Sequence, residues 1–458
     1  MKMMLSACAA IVQGKLIGKD VAITGVSIDT RVIKADQLYV AIKGHNFDGN
    51  DFVEQAEKAG AIAAIVHAGV SSALPHIVVD DTRLALARLA GAWRLSLSEN
   101  ERPLSVVGVT GSNGKTTVKE MVAAILAVKD TVLFTQGNLN NDIGVPLTLF
   151  RLTEQDRYAV IEMGANHIGE IAYTSHYANA DVVIITNAGA AHLEGFGSLG
   201  DVAKAKGEII ETLGDKGVAV LNREDAYFDY WKAVAGNRKV ISFGLGADAD
   251  VTAKVTGMGI NNNSFISAFN LLTAQGAVEV NLKLAGQHNV LNALAATAAT
   301  LALGIELEQV KAGLESIKPV VGRMQPLVGH LGNIIIDDTY NANADSLEAG
   351  LEALSQLKGR HWLVLGAFSE LGSHSAKIHE EIAEVIKSSG VSRIFTVGAD
   401  TKKTVQAFGL GATYYEKQED LIAELKQEIT GDEVILIKGS RAQRMENVAA
   451  ALVENFRN

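Results

Sequence analysis

The sequence has little cysteine and no long apolar run. Cys8 is the single cysteine among 458 residues, so no disulfide can form within the chain and a cysteine-rich zinc site is excluded. No stretch of about 18 apolar residues is present, which excludes a transmembrane helix. Acidic side chains outnumber basic ones by 52 to 41, and the net charge of −11 argues against broad electrostatic binding to nucleic acid. We therefore expect a cytoplasmic protein without nucleic-acid or membrane partners.

The first eight residues, MKMMLSAC, resemble a lipoprotein cleavage site that ends at Cys8. A signal peptide needs an apolar segment of about 7–15 residues, and only a few residues precede this cysteine. We therefore interpret the segment as the first helix of a cytoplasmic domain and not as an export signal.

Strand-like and helix-like segments alternate along most of the chain, which predicts an α/β protein with mainly parallel sheets. At roughly 150 residues per domain, 458 residues predict three domains. We expect a small N-terminal α/β domain at 1–83, a central parallel-sheet domain at 84–318, and a Rossmann-like α/β domain at 319–458. The first boundary lies at one of two polar turns, 80–83 or 98–103. The second follows from prolines and a glycine near 319–326 in a chain that has only five prolines.

The strongest motif is VVGVTGSNGKTT at residues 106–117. A β-branched strand runs into a glycine-rich turn and then into a helix with apolar residues at 118, 121, 122, 125 and 126. Backbone N–H groups and the helix dipole converge on an anion in such a segment. Lys115 would reach the β- and γ-phosphates and Thr116 would ligate Mg²⁺. The pattern departs from the Walker sequence because Val109 stands where its first glycine belongs. It predicts a nucleoside triphosphate site at Gly111, Ser112, Asn113, Gly114, Lys115, Thr116 and Thr117, which makes the central domain a P-loop-type ATPase domain.

The string TGSNGKTT, in place of a standard Walker loop, resembles the phosphate loop of the Mur ligase family. The resemblance implies three domains and ATP-driven formation of an amide bond through an acyl phosphate. Strings that match the family occur in all three predicted domains. The alternative from a different class is a nucleotide-dependent switch that hydrolyses ATP without ligation.

Within this resemblance, three residues are implied to act on metal ions together with Thr116. Glu162 ends an apolar strand in VIEMGANH, where P-loop enzymes place a second Mg²⁺ ligand, although an ordinary strand-end glutamate is the alternative. The family places a metal-binding histidine at His192 and a carbamylated lysine at Lys206, with Lys204 as the nearby competitor. The implied metal ligands for two Mg²⁺ ions are Thr116, Glu162, His192 and Lys206, and the implied catalytic residues are Lys115, His192 and Lys206.

Further residues are implied to hold the nucleotide. Asn292 in GQHNVLNALAA would face the adenine, unless it only caps a helix. Arg323 would reach the phosphates across the second domain boundary. Asp338, at the end of an apolar strand, would accept from the ribose hydroxyls, with Tyr340 lining the same cleft.

The strings GNLNNDIGVP, EMGANH and AAHLEGFGS are similar to family members that add D-alanyl-D-alanine to UDP-N-acetylmuramoyl-tripeptide. Members that add single amino acids usually carry aspartate where Ala191 stands, and the D-N-P-R run of the diaminopimelate-adding members is absent. The implied substrates are these two small molecules. Another amino-acid-adding ligase of the family stays open, as does the third residue of the tripeptide. We expect a monomer, because no coiled-coil pattern is present.

The candidate substrate contacts fall into three groups. VSIDTR and AIKGHNFDGNDF resemble the family's uridine-nucleotide site, and KGSRAQRME is placed where a dipeptide carboxylate would arrive, since arginine suits bidentate carboxylate binding. In LGAFSELG, Ala367 and Phe368 depart from the aspartate and methionine that are usual in the family. The candidates are Ser27, Asp29, Arg31 and Lys43; Asn138, Asn140, Asn141, Asn166 and His167; and Asn341, Asn343, Lys438, Ser440 and Arg441.

Overall fold

The chain folds into three sheets of mainly parallel strands with helices packed on them, together with smaller antiparallel sheets. The structure is a computed structural model that describes residues 1–44, 47–70, 72–99, 103–189, 193–261, 264–369 and 371–453. Parallel strands need crossover connections, and the intervening helices supply them. The predicted α/β fold class is confirmed. No helix in these ranges combines the length and the apolar character needed to cross a bilayer.

The N-terminal elements form a sheet with helices on both faces. They are β1 (Met3–Met4), α1 (Leu5–Val12), β2 (Lys15–Ile17), β3 (Ala22–Ile23), β4 (Gly25–Ser27), β5 (Gln37–Val40), a 3₁₀ turn (Gly49–Phe52), α2 (Val53–Lys58), β6 (Ala63–His67), β7 (His76–Val79) and α3 (Thr82–Ser98). The strand order is β2–β7–β6–β5–β4, with only the β2–β7 pair antiparallel, and β1 pairs with β3. Helices α1 and α3 cover one face and α2 the other.

The central elements carry the phosphate-loop motif. They are β8 (Ser105–Thr110), α4 (Lys115–Ala127), β9 (Val132–Phe134), α5 (Gly144–Leu149), β10 (Tyr158–Glu162), α6 (Glu170–Ala178), β11 (Val182–Ile185), α7 (Leu193–Phe196), α8 (Leu199–Glu211), β12 (Val218–Asn222), α9 (Phe228–Ala235) and β13 (Lys239–Phe243). All six strands are parallel, in the order β13–β12–β11–β8–β10–β9. Strand β8 is central because its residues are apolar on both faces, as a doubly covered strand requires.

A three-stranded antiparallel sheet, which the sequence analysis did not predict, follows the central sheet. It contains β14 (Thr252–Asn261), β15 (Ser264–Thr273) and β16 (Gly276–Leu282), and it precedes α10 (Gln287–Ala302) and α11 (Leu307–Ser316). The inward side chains Phe269 and Leu271 are fully buried in one core with α4 and α10. Packing against this sheet therefore sets the orientation of α10 and, with it, the helix face that is directed toward the phosphate loop.

The C-terminal elements form a second six-stranded sheet. They are β17 (Gln325–Val328), β18 (Ile334–Asp338), α12 (Ala344–Ser355), β19 (Arg360–Gly366), a 3₁₀ turn (Gly372–His374), α13 (Ser375–Ser388), β20 (Arg393–Val397), α14 (Thr401–Phe408), β21 (Ala412–Tyr415), α15 (Gln418–Glu428), β22 (Glu433–Lys438), a 3₁₀ turn (Arg441–Gln443) and α16 (Glu446–Leu452). The order is β17–β18–β22–β19–β20–β21, with only β17 antiparallel. Helices α12 and α13 cover one face, and α15 and α16 the other.

Helix α3 joins the N-terminal elements to the central sheet. Its N-terminus is capped by Asp81, and its far end is held by Trp93 and Arg94. The Arg94 guanidinium is 2% exposed and donates to the carbonyl oxygens of Ala178 and Asn179 at 3.0 and 2.7 Å. These are terminal carbonyls of α6, which have no partner within the helix.

We expect Arg94→Met to destabilise the central sheet strongly. The substitution keeps an apolar stem but leaves one buried and one partly buried carbonyl group without this donor, which costs about 2–4 kcal/mol. The urea midpoint, followed by tryptophan fluorescence, measures this loss. Arg88→Met on the same helix is the control, because Arg88 donates to a single carbonyl, that of Val12, and we expect a loss of about 1 kcal/mol or less. An unchanged midpoint for Arg94→Met would contradict the role given to Arg94.

Candidate active site

A cavity of about 580 Å³ lies where the carboxyl ends of the central strands face those of the C-terminal sheet. Open parallel sheets bind ligands at this end, because the loops that follow the strands converge there. The cavity is lined by most of the central and C-terminal residues that the sequence analysis singled out. These residues are Ser112, Asn113, Gly114, Lys115, Thr116, Thr117, Asn140, Asn141, Glu162, Asn166, Asn292, Arg323, Asp338, Tyr340, Asn341, Asn343 and Lys438.

The phosphate loop requires glycine at two positions. Gly111 has φ +144°, and a Cβ there would lie 1.9 Å from Thr186 Oγ1. Gly114 has φ +81°, and a Cβ there would lie 2.5 Å from Asn292 Oδ1. Both values of φ disfavour any other residue. The loop is therefore wedged between the end of β11 and the second turn of α10, and Asn292 lies inside that helix and does not cap it.

The amides of this loop divide into two sets. Ser112 N–H donates to the carbonyl of Asn187 at 3.0 Å, and Asn113 N–H donates to the Asn187 side-chain oxygen at 2.9 Å. These two N–H groups hold the loop itself. The first-turn amides of α4, at Lys115–Thr117, have no acceptor within the helix and point toward the cavity end of its axis. An anion would be bound by this second set.

Lys115 is held close to the loop. Its Nζ donates to the carbonyl oxygens of Gly111 at 2.6 Å and Ser112 at 3.0 Å. Burial lowers the pKa of Lys115, while the Glu162 carboxylate acts in the opposite direction and Arg323 adds to the lowering. A partly buried ammonium with carbonyl partners gains from a nearby anion, so the position suits a phosphate group.

The C-terminal segment reaches the phosphate loop directly. Arg323 donates to Thr116 Oγ1 at 3.1 Å, and its guanidinium lies 4.2 Å from the centre of the Tyr340 ring. Asn343 donates to Asn113 Oδ1 at 3.0 Å. The cavity is thus closed by side chains that are more than 200 residues apart in the sequence.

Glu162 has the environment of a cation ligand. It is the last residue of β10 and 2% exposed, and its Oε1 accepts from Asn140 Nδ2 at 2.9 Å. Its Oε2 is buried and accepts no hydrogen bond from any described residue. No three His, Cys, Asp or Glu side chains gather into a metal cluster in the described part of the chain. Mg²⁺ needs no such cluster, since it binds through one or two carboxylates, substrate phosphates and water. The residues present therefore fit the ion.

The two lysines of α8 differ in burial. Lys204 is exposed, whereas Lys206 is 2% exposed, with its Nζ 5.3 Å from the centre of the Phe196 ring. Burial, reinforced by the charge of Lys115, lowers the pKa of Lys206 to about 7, while Glu208 and Glu170 act in the opposite direction. A large fraction of this amine is therefore neutral at pH 7. His192, the third implied metal ligand, lies outside the described residues.

Asp338 and Lys438 meet in the cavity although they are 100 residues apart. Lys438 Nζ donates to Asp338 Oδ2 and, at 3.2 Å, to the carbonyl of Asn341. The other carboxylate oxygen, Oδ1, accepts from Met324 N–H at 3.2 Å. Parallel pairing of β18 with β22 brings these two strand ends together. Lys438, singled out for a dipeptide carboxylate, thus contacts the residue singled out for the ribose.

Other residues singled out in the sequence are not among those that line the cavity. Asp29 and Arg31 form a bidentate ion pair with each other in the N-terminal part of the chain. Ser440 donates to the Ala367 carbonyl at 2.7 Å, and Arg441 pairs with Glu446 at 3.1 Å. The structure does not place these residues, or the others of this set, in the cavity lining. The full set is Ser27, Asp29, Arg31, Lys43, Gly111, Asn138, His167, Lys206, Ser440 and Arg441.

The sequence analysis missed several polar residues of the cavity. His288 and Asn289 line it from the first turn of α10, and Glu120, Glu170 and Asp345 line it from three other helices. The signal for the first pair was present, because Asn289 precedes Asn292 by three residues and so shares its helix face. The acidic residues carry no such signal, since each is typical of a solvent-facing helix position.

The parallel sheet, the glycine loop at a helix N-terminus, and the arginine that reaches it from another sheet define an ATP-dependent enzyme of the P-loop type. Family models match all three sheets: "Mur ligase family, catalytic domain" at residues 22–94, "Mur ligase middle domain" at 109–300 and "Mur ligase, glutamate ligase domain" at 322–441. The chain belongs to the Mur ligase family, as the sequence analysis predicted.

Similar proteins match along nearly the whole chain. The curated UDP-N-acetylmuramoyl-tripeptide–D-alanyl-D-alanine ligase of Escherichia coli K12 is 43% identical over 98% of both chains, and that of Bacillus subtilis is 34% identical over 98% of this chain and 97% of its own. A crystal structure of MurF from Acinetobacter baumannii has a TM-score of 0.92 at 34% identity and covers 99% of both chains. MurF ligase from Thermotoga maritima in complex with ADP has a TM-score of 0.83 at 29% identity and covers 93% of this chain and 96% of its own.

Proposed function

We propose that this protein is an ATP-dependent ligase that joins D-alanyl-D-alanine to UDP-N-acetylmuramoyl-tripeptide in peptidoglycan precursor synthesis. The observation that carries the proposal is the 43% identity, over 98% of both chains, with a curated ligase of that name. The cavity is consistent with this activity, since it combines a phosphate loop with cationic side chains from a second sheet.

The reaction proceeds in two balanced steps. A terminal carboxylate oxygen of the tripeptide attacks the γ-phosphorus of ATP, which forms an acyl phosphate and releases ADP. The amine of D-alanyl-D-alanine then attacks the acyl carbon, which forms the amide and releases phosphate and a proton. Because two anions meet in the first step, Lys115 and Arg323 act by holding the triphosphate and offsetting the charge. The contribution of the chain is mostly positioning and charge stabilisation.

Thr116 and Glu162 would hold one Mg²⁺ beside the triphosphate, and His192 with Lys206 would hold a second near the acyl oxygen. Bound ions of this kind lower the repulsion between a carboxylate and a triphosphate. The unpaired Glu162 Oε2 supports the first assignment. The second requires that Lys206 become anionic, because an ammonium repels a cation.

We infer that Lys206 is carbamylated. A neutral amine attacks the carbon of CO₂ and loses one proton, which converts the side chain into an anionic oxygen ligand. The burial of Lys206 and its pKa of about 7 favour the neutral amine. The exposed Lys204 has no comparable environment.

We further propose that the chain divides at residues 83 and 318. The N-terminal domain would bind the uridine nucleotide through Ser27, Asp29, Arg31 and Lys43. The C-terminal domain would close on ATP and bind the dipeptide near Arg441, whose Glu446 partner the dipeptide carboxylate would replace. The protein would act as a monomer in the cytoplasm, where nucleotide-linked precursors and ATP are available.

Phosphate release tests the function. Purified protein is given ATP, Mg²⁺ and UDP-N-acetylmuramoyl-tripeptide, with either D-alanyl-D-alanine or a single amino acid. We expect release with the dipeptide alone, together with a pentapeptide product identified by mass. Release with a single amino acid would keep the chemistry but contradict the dipeptide. Release that needs neither acceptor nor amine would contradict ligation and favour a nucleotide switch.

A further inference from the structure

His288 has a defined protonation pattern at the edge of the cavity. Its Nε2 lies 3.1 Å from Asn289 Nδ2. That amide nitrogen also donates to the Ala285 carbonyl at 2.7 Å, and the amide oxygen accepts from Asn292 Nδ2 at 3.1 Å. These two contacts fix the orientation of the Asn289 amide, so Nε2 of His288 is the acceptor. The neutral ring therefore carries its proton on Nδ1.

The Nδ1–H group is a donor without an acceptor. It is buried, and no described residue accepts a hydrogen bond from it. Gly286, with φ +84°, leaves room for this ring, because a Cβ there would lie 2.8 Å from Nδ1 and 2.7 Å from Cε1. A buried donor that stays unpaired is destabilising, so it indicates that a partner is engaged in another state of the site.

Asp338 lines the same cavity as His288, and its carboxylate is a negative charge that acts on this ring. Burial lowers the pKa of His288 to about 4, the Asp338 carboxylate opposes that change, and the Lys438 ammonium reinforces it. The ring is neutral near pH 7 and serves as a donor, not as a charge. The Asp338 carboxylate accepts from Lys438 Nζ and Met324 N–H, and a carboxylate has about four acceptor positions. It therefore has capacity for both an imidazole and a ribose hydroxyl.

We propose that His288 positions the Asp338 carboxylate for the ribose of the bound nucleotide, with its Nδ1–H donating to that carboxylate when the cavity is occupied. The proposal rests on the proposed function, since it takes the nucleotide to be ATP or ADP with its ribose at Asp338. His288 touches no reacting atom and is a positioning residue. A carboxylate that receives donors from two sides keeps one orientation, and a preorganised acceptor binds with less loss of freedom.

Nucleotide affinity without ligation tests this role. Binding of ADP, 2′-deoxy-ADP and 3′-deoxy-ADP to the full chain is measured by calorimetry. His288→Asn keeps an amide N–H near Nδ1, whereas His288→Gln moves the amide to the place of Nε2 and His288→Phe removes both. We expect His288→Gln and His288→Phe to bind ADP about tenfold more weakly and to lose the preference for ADP over the deoxy form that lacks the contacted hydroxyl. We expect His288→Asn to stay within about threefold of the wild type and to keep that preference.

Two further comparisons separate the possible failures. If His288 acts through Asp338, the double variant His288→Phe/Asp338→Asn should bind ADP no more weakly than Asp338→Asn alone. An unchanged preference in His288→Phe, or equal behaviour of His288→Asn and His288→Gln, would overturn the role of His288. If the wild type binds both deoxy forms as tightly as ADP, that result would instead contradict the ribose contact in the proposed function. Melting temperatures identify variants that fail to fold. If His288→Phe fails to fold, the comparison of His288→Asn with His288→Gln decides the role of His288.

Discussion

Lys115→Met should reduce phosphate release by about 10³-fold or more, the loss expected when a cation that stabilises the transferring phosphate is removed. The ammonium lies at the start of α4 with carbonyl partners from its own loop, and the first-turn amides point to the same cavity. Methionine fills the volume but supplies no charge to the β- and γ-phosphates. The measurement is kcat/KM for ATP at saturating acceptor and amine.

Lys129→Met is the matched control for this experiment. Lys129 follows the other end of the same helix, is exposed, and donates to the Gly304 carbonyl at 3.2 Å. We expect its activity to stay within about twofold of the wild type, as is usual for an exposed side chain far from the cavity. Lys115→Met should change the melting temperature little, because removal of an ammonium whose pKa burial lowers offsets the loss of its two hydrogen bonds to loop carbonyl groups. Activity of Lys115→Met within tenfold of the wild type would contradict the phosphate role.

Lys206→Met should abolish turnover without destabilising the fold. Because burial lowers the pKa of Lys206 to about 7, the unfolded chain binds more protons than the folded one between about pH 7 and the ordinary lysine range. The free amine therefore lowers stability at neutral pH, and this penalty disappears as the pH rises. Methionine removes the penalty together with the proposed metal ligand. We expect a loss of about 10³-fold in phosphate release, with a melting temperature equal to or above that of the wild type.

Carbon dioxide provides the second measurement on Lys206. The wild type should lose activity after removal of CO₂ and regain it on addition of bicarbonate. At a fixed pressure of CO₂ the carbamate fraction should rise with pH through about pH 7, since only the neutral amine reacts. Lys204→Met, on the same helix but exposed, should keep both the activity and the bicarbonate response. A wild-type enzyme indifferent to CO₂ would contradict the carbamate, even if Lys206→Met were inactive.

The predictable part of the fold is the part whose pattern is local. Strands at 158–162, 218–222, 393–397 and 433–438 are mostly apolar runs between turns, which is the pattern of buried parallel strands and can be recognised from sequence alone. Strand β15 was not predicted. Its inward positions include Ser267, which is buried and donates to the Leu284 carbonyl at 2.7 Å. A polar residue in the buried register obscures the alternation that identifies a strand.

The candidate site shows the same division. The phosphate loop is contiguous in sequence, so its residue types and their spacing can be recognised without a fold. The choice between Lys204 and Lys206 depends on which face of α8 is buried. The positions of the two lysines in the sequence do not show which face that is. The contact between Asp338 and Lys438 depends on the pairing of β18 with β22 across 100 residues. The unpaired proton of His288 depends on the orientation of one amide, which only the assembled helix N-terminus defines.

The close packing of Gly111 and Gly114 in the phosphate loop limits how resistance to inhibitors could arise. A compound that competes with the nucleotide by binding the main chain between Gly111 and Gly114 would contact two positions at which φ disfavours every residue except glycine. A side chain at either would meet Thr186 or Asn292 at under 2.6 Å, in a backbone conformation that disfavours it. Resistance would have to arise at neighbouring side chains such as Tyr340, which the compound need not touch. Substitution within this stretch of backbone is therefore a poor route to escape from such a compound.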